Sequence, residues 1–255
     1  MLPADAPRSI VVVPCFNEAR RLDAAAFVAH AATNPDTHFL LVDDGSTDRT
    51  LACLRELAAS CGTVAVLALP RNVGKAEAVR RGVLAAMERR PAYVGYWDAD
   101  LSTPLAEIGR FAAILQAEPK LLLVMGARVQ LLGRDIVRSP TRHYAGRVFA
   151  TAASMVLRLP VYDTQCGAKL FRVTDRTPEL FNEPFTSRWI FDVEILARLM
   201  DAGIGDPLHV VYECAVDQWH NVPGSKVAPL DFLRAGLELA RVFRRYGPGI
   251  ARLRR

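Results

Sequence analysis

Short apolar runs alternate along this chain with stretches of helical period. "SIVVVP" (9–14), a β-branched run, and "HFLLVDD" (38–44), "TVAVLAL" (63–69), "AYVGYW" (92–97) and "KLLLVMGA" (120–127) are strand-length and largely apolar, and predict five strands. Between them the pattern predicts helices over about 18–32, 47–60 and 75–90, the last with Val79, Val83 and Met87 at helical spacing, and one opening at Pro104. Beyond Arg128 the pattern loosens. A helix is expected over 141–158, then a polar loop "YDTQCGAK", a helix near 190–202, a strand near 208–216 and a last helix over about 229–245.

Strands that are apolar on both faces and alternate with helices imply an α/β fold with a mostly parallel sheet covered on both sides. Ligands of such sheets bind beyond the carboxyl ends of the strands. Polar clusters fall at those ends: Asn17 and Glu18, then Asp43 and Asp44, then 71–75, then Asp98 and Asp100. Each alone is explained by turn chemistry. Four on one rim point to a shared site.

The 255 residues carry a net charge of +5, but residues 226–255 hold eight Lys/Arg against two acids, leaving about −1 for the rest. Basicity confined to the tail does not fit a nucleic-acid binder, whose patch belongs on the folded body. No apolar run approaches the ~20 residues needed to span a bilayer, and the first residues lack a signal-peptide pattern, so a cytosolic protein is expected. Five cysteines without metal spacing read as reduced packing residues. No GxGxxG follows the first strand, which disfavours a dinucleotide oxidoreductase.

The pair in "WDADLSTP" is the sharpest chemical feature. Two carboxylates one residue apart repel each other unless a cation holds them, and such a pair suits Mg²⁺ or Mn²⁺ bridging to substrate phosphates. A helix-capping turn explains the same residues, and DxD alone is a weak motif.

In order, "VVVPCFNEARRL", "LLVDDGSTDRT", "RNVGKAEAVRRGV" and "DADLSTP" resemble the nucleotide-binding half of inverting family 2 glycosyltransferases of the GT-A fold. "GAR", "DTQCGAKLF", "SRWIFDVEIL" and "VPGSK" are similar to the dolichyl-phosphate glucosyltransferase branch. The resemblance spans about residues 9–228, with a nucleotide-binding half (9–127), an acceptor-binding half (128–228), and a basic amphipathic helix or tail after 228. Two departures stand out: Ala168 replaces the aromatic usual after "DTQCG", which bears on pocket shape, and the C-terminal membrane helices of many bacterial relatives are absent.

The resemblance implies a nucleotide pocket lined by Pro14, Asn17, Glu18, Asp44 and Lys75, with Asp44 able to accept from a uracil imide NH. It implies that Asp98 and Asp100 bind the donor and its metal, Asp100 as the direct ligand. A sugar-hydroxyl acceptor requires a general base, whereas a phosphate monoester is already ionised near pH 7 and requires cations. Arg128, Arg142 and Lys226 are the cations implied for an acceptor phosphate, with Asp163 and Gln165 lining its pocket. Asp192 shares a helical face with Leu196 and Leu199 and is preferred as a site residue, orienting the sugar or acting as base; Glu194 is read as a surface partner of Arg198. The expected function is hexosyl transfer from a nucleotide sugar, UDP-linked, to a polyprenyl phosphate by a protein resting peripherally on the cytosolic membrane face, with a homo-oligomer left open. A glycosyltransferase acting on a sugar hydroxyl and a non-catalytic nucleotide-sugar-binding scaffold are the alternatives.

Overall fold

The computed structural model describes residues 7–137, 140–220 and 229–253. The first half is a run of strand–helix units: β1 (Ser9–Cys15), α1 (Ala24–Thr33), β2 (Thr37–Asp43), α2 (Thr50–Ser60), β3 (Val64–Ala68), α3 (Lys75–Met87), β4 (Tyr93–Trp97), α4 (Ala106–Ala117) and β5 (Leu123–Ala127). The second half adds β6 (Asp135–Val137), α5 (Pro140–Leu157), β7 (Ala168–Arg172), a 3₁₀ turn at Thr177–Leu180, α6 (Phe191–Asp201), the single turn α7 (Pro207–Val210), β8 (Val211–Ala215), β9 (Gln218–His220) and α8 (Pro229–Leu253).

Seven strands form one sheet in the order β3-β2-β1-β4-β7-β5-β8, and β6 pairs with β9 in a small second sheet. All pairings in the main sheet are parallel except those of β7, which runs antiparallel to β4 and β5. β1 is apolar at successive positions because both its faces are buried. Ile10 and Val12 enter one core with α3, α5, α6 and α8, while Val11 and Val13 enter a second core with α1, α2 and α4. The order reverses between β1 and β4, so the switch-point crevice opens at their carboxyl ends.

Several elements depart from the expected bounds. Residues 18–23 form a turn, with Arg21 and Leu22 N–H on the Glu18 carbonyl, and Asp23 caps α1 at Ala26 N (3.0 Å). α2 starts at Thr50 because Asn17 Oδ1 takes the Thr47 N–H (2.9 Å). The loop "YDTQCGAK" runs into β7, whose register sets Ala168 opposite Trp97. Ala168 is fully buried with Trp97 and Cys166, so its small side chain shapes the core rather than a pocket wall. The last helix passes Arg245 and continues through Pro248, since Tyr246 and Ile250 are buried against the domain.

Candidate active site

The loops after β1 and β2 brace one another. Asn17 adopts the left-handed region (φ 54°), its N–H donates to Ser46 Oγ (3.0 Å), and the Glu18 N–H donates to Thr50 Oγ1 (2.8 Å). The buried Glu18 carboxylate receives both arms of Arg21 (2.8 and 2.7 Å). Asn17 and Glu18 thus hold the floor of the crevice, with Pro14 half-buried at the end of β1.

Asp44 organises the loop after β3. Its Oδ1 accepts the Val73 N–H (2.7 Å), and its Oδ2 accepts the Gly74 N–H (2.9 Å) and Asn72 Nδ2 (3.1 Å). Burial raises its pKa, and the two backbone donors work against that rise. The neighbouring Asp43 is buried too; its Oδ2 accepts the Ser46 N–H (3.3 Å), while Oδ1 has no partner among the described residues.

Lys75 opens α3 and reaches across to β4, where its Nζ meets Asp98 Oδ1 at 2.5 Å. Burial tends to lower the Lys75 pKa, but the charges of Asp98, Asp192 and Asp100 outweigh it and hold the ammonium above its ordinary value. Asp98 also packs on Gly167, where a Cβ would lie 1.9 Å from Asp98 Oδ2. Asp100 is half-buried, and its Oδ1 accepts the Ser102 N–H (3.0 Å) across Leu101, which is itself left-handed (φ 52°).

The second half delivers three more charged groups to this rim. Arg128, just past β5, forks onto Asp163 with Nε at 2.6 Å and Nη2 at 2.8 Å, and lies over Trp219 (5.3 Å to the ring centroid). Burial would lower its pKa, and the Asp163 charge more than reverses that. Asp163 also accepts the Gln165 N–H (3.1 Å). Asp192, in the first turn of α6, accepts from Lys169 Nζ (2.6 Å) and Tyr96 OH (2.5 Å), both on Oδ1. The side chain of Arg142 and the whole of Lys226 lie outside the described residues.

The family model for glycosyl transferase family 2 matches residues 10–176, the stretch that builds all of this rim except the turn at α6. The chain belongs to that family. Dolichyl-phosphate β-glucosyltransferases of Dictyostelium discoideum and Drosophila melanogaster are each 31% identical to it, covering 96% and 95% of this chain and 76% of their own length. The human protein of that name is 30% identical, over 95% of this chain and 77% of its own. Among solved structures, glucosyl-3-phosphoglycerate synthase from Mycobacterium tuberculosis in complex with Mn²⁺ and UDP-glucose superimposes with a TM-score of 0.66 at 20% identity, covering 94% of this chain and 79% of that one. Its UDP complex gives 0.65. These structures share the GT-A fold.

Three groups of this glycosyltransferase's rim are missing from the sequence-based site. Lys169 is fully buried and donates to the Thr164 and Cys166 carbonyls (3.0 and 2.7 Å) as well as to Asp192. Tyr96 is its companion on Asp192, with burial first and the Asp192 charge second raising the phenol pKa, so it remains a donor. Arg188 is exposed and donates to the Val73 carbonyl (3.3 Å) beside Gly74. Lys169 and Arg188 lie inside the segments that carry the family resemblance, and that position was the available signal. The surface reading of Glu194 is overturned. It is fully buried and accepts from Arg198 (2.9 Å), Tyr246 OH (2.9 Å) and the Ser187 N–H (3.0 Å), so its role is to hold α6 in place.

A divalent ion fits this rim on one condition. No group of three or more His, Cys, Asp or Glu side chains among the described residues gathers around one point, so an ion held by these residues would take its remaining ligands from substrate oxygens and water. Asp100 suits that role, because its second oxygen has no partner among the described residues, whereas Asp98 Oδ1 already meets an ammonium.

Proposed function

We propose that this family 2 enzyme is an inverting glucosyltransferase that moves glucose from UDP-glucose to a polyprenyl phosphate of the dolichyl type. The observation that carries the reading is the similarity, across nearly the whole chain, to dolichyl-phosphate β-glucosyltransferases. A β-linked product from α-linked UDP-glucose inverts the reacting carbon, as a single displacement does.

The residues divide the work. Pro14, Asn17, Glu18 and Asp44 form the nucleotide pocket, with Asp44 fixing the 72–74 loop as its wall. Lys75 and Arg188 supply positive charge for the diphosphate. Asp100, assisted by Asp98, holds Mg²⁺ or Mn²⁺, which when bound offsets charge on the departing diphosphate. Asp192 orients the sugar. Its Oδ1 is already engaged by Lys169 and Tyr96, which suits an acceptor that needs no base. On the acceptor side, Arg128 retains an Nη1 without a partner among the described residues. That leaves it a donor for a phosphate while Asp163 keeps the guanidinium in place. Arg142, Lys226 and Gln165 complete the acceptor pocket.

No described helix is long and apolar enough to cross a membrane. We assign membrane contact to the outer face of α8, where Leu237 (64% exposed) and Phe243 (54%) stand among the exposed Arg241 and Arg244. Each arginine there contributes ~1 kcal/mol near anionic lipid. Removing the whole helix is an unsuitable test, since its other face is core. Replacing Leu237 and Phe243 by Ser should instead reduce flotation with anionic vesicles.

The decisive assay supplies UDP-glucose and other nucleotide sugars with Mg²⁺ or Mn²⁺ and a short polyprenyl phosphate, followed by mass analysis of the lipid. A glucosyl-phosphopolyprenol product that disappears on chelation and in Asp100→Ala supports the reading. Transfer only to sugar hydroxyls, or turnover unchanged in Arg142→Ala, would place the protein with the hydroxyl-acceptor enzymes. Nucleotide-sugar binding without turnover would make it a scaffold.

A further inference from the structure

The inward face of α8 is apolar at Ala235, Leu239, Val242 and Ile250, but it also brings two polar groups to α6. Tyr246 donates to Glu194 Oε1 (2.9 Å) inside the core. Glu238 lies nearer the start of α8, level with the turn that enters α6. One oxygen, Oε2, accepts the Ser187 hydroxyl and the N–H groups of Trp189 (3.3 Å) and Ile190 (3.4 Å). Ser187 is itself buried; its Oγ accepts the Ile190 N–H (2.7 Å), and its own N–H goes to Glu194 (3.0 Å). Ile190 is the N-cap of α6 and has no capping side chain of its own. The Ser187 hydroxyl accepts the Trp189 N–H too (3.3 Å), so a carboxylate from a distant helix shares both backbone donors with Ser187 and fixes its hydroxyl, at the end of α6 where negative charge is favoured.

This turn leads directly into the site. Arg188 sits between two of the tethered residues and reaches the Val73 carbonyl beside α3. Asp192 follows Ile190 by two positions, and its contacts to Lys169 and Tyr96 are short enough that a shift of the turn would break them. We propose that Glu238 is a positioning residue for glycosyl transfer, locking the 187–190 turn so that Arg188 and Asp192 face the donor. The inference rests on the proposed roles of Arg188 and Asp192.

The test uses the full chain with Glu238→Ala, Glu238→Gln and Ser187→Ala, measured for transfer kinetics, UDP affinity, melting temperature and hydrogen exchange. Misplacing reacting groups by about 1 Å can reduce turnover ~100-fold. Glu238→Ala should therefore lower kcat at least ~10-fold with UDP affinity within ~3-fold. Glu238→Gln should recover most of it, because all three donors meet a single oxygen that an amide can supply. Exchange should rise in the peptide covering 187–192 and stay unchanged in β1 and β4. Should Glu238→Ala not fold, Ser187→Ala is expected to give the same pattern. Unchanged kcat in Glu238→Ala, or a kcat loss that Glu238→Gln does not relieve, overturns the inference. If the wild-type protein transfers to no polyprenyl phosphate, the functional reading fails, and exchange still decides here: unaltered protection of 187–192 in Glu238→Ala refutes the tether.

Discussion

Replacing Lys169 by Met tests whether the ion pair at the centre of the fold is held as tightly as its burial implies. The Lys169 side chain is 1% exposed and that of Asp192 7%. Methionine fills similar volume without charge, so the substitution leaves Asp192 buried beside Tyr96 without its ion-pair partner, and only the more distant charge of Lys75 remains to it. Breaking a buried pair from one side costs about 3–5 kcal/mol. The Thr164 and Cys166 carbonyls lose their donor as well, at ~1 kcal/mol or more each. A total of about 5–7 kcal/mol is a large part of the 5–15 kcal/mol typical of a whole domain. At about 2–4 °C per kcal/mol for a chain of this size, the melting temperature should fall by roughly 10–28 °C. The double variant Lys169→Met/Asp192→Asn removes the stranded charge yet keeps an acceptor for Tyr96, and should recover about half of the loss. Calorimetry on the four proteins of this cycle checks it. A Lys169→Met melting temperature within 2 °C of wild type, or a double variant no more stable than Lys169→Met, would refute the reasoning.

Three further outcomes are expected. Hydrogen bonding to Arg80, then Arg81, holds the Glu77 carboxyl below its usual range. A depressed folded pKa stabilises above the unfolded value and is lost as pH falls through the folded one, so Glu77→Gln should lose ~1 kcal/mol at pH 7, and the difference from wild type should shrink in a melting series only as pH drops below the ordinary glutamate range. Gly45 has φ +64° and a Cβ there would lie 2.3 Å from the Arg71 backbone, so Gly45→Ala should cost ~3 kcal/mol in a denaturant titration. Gly167→Ala would drive Asp98 off Lys75, and its turnover should fall ~100-fold, with a smaller effect on melting.

What the sequence revealed follows from where each residue's partners lie. β1 and β4 were legible because both faces are buried and the apolar run is unbroken, β2 and the edge strand β3 because their runs stay apolar even where they are part-exposed, and the polar clusters beyond them marked the rim. β7 was not, because Lys169 in its middle looks like a solvent-facing residue until its partner, 23 positions later, is brought alongside. Glu194 misled for the same reason: its i,i+4 spacing to Arg198 is that of an ordinary surface pair, and only α8 reveals it as core. The start of α2 was misplaced because a contact from another loop, Asn17 Oδ1 on the Thr47 N–H, holds residues 47–49 outside a helix that has no side-chain cap of its own. The three-residue strands β6 and β9 are too short to carry a period.

The three ion pairs on the rim differ in a way that assigns them different work. Side-chain exposure is 39% and 35% for Lys75–Asp98, 15% and 10% for Arg128–Asp163, and 1% and 7% for Lys169–Asp192. A half-exposed pair contributes ~0–1 kcal/mol and exchanges partners readily, whereas a buried one cannot let go without stranding a charge. On the proposed function, an incoming diphosphate would draw Lys75 away from Asp98, while Lys169 stays fixed as scaffold and Arg128 keeps its fork on Asp163. Lys75→Met should thus behave opposite to Lys169→Met. Its melting temperature should stay within ~2 °C of wild type, while UDP affinity, read by titration calorimetry, should fall ~10-fold, the equivalent of ~1.4 kcal/mol. If Lys75→Met instead destabilises the fold and leaves UDP binding intact, exposure does not separate the moving pair from the fixed one.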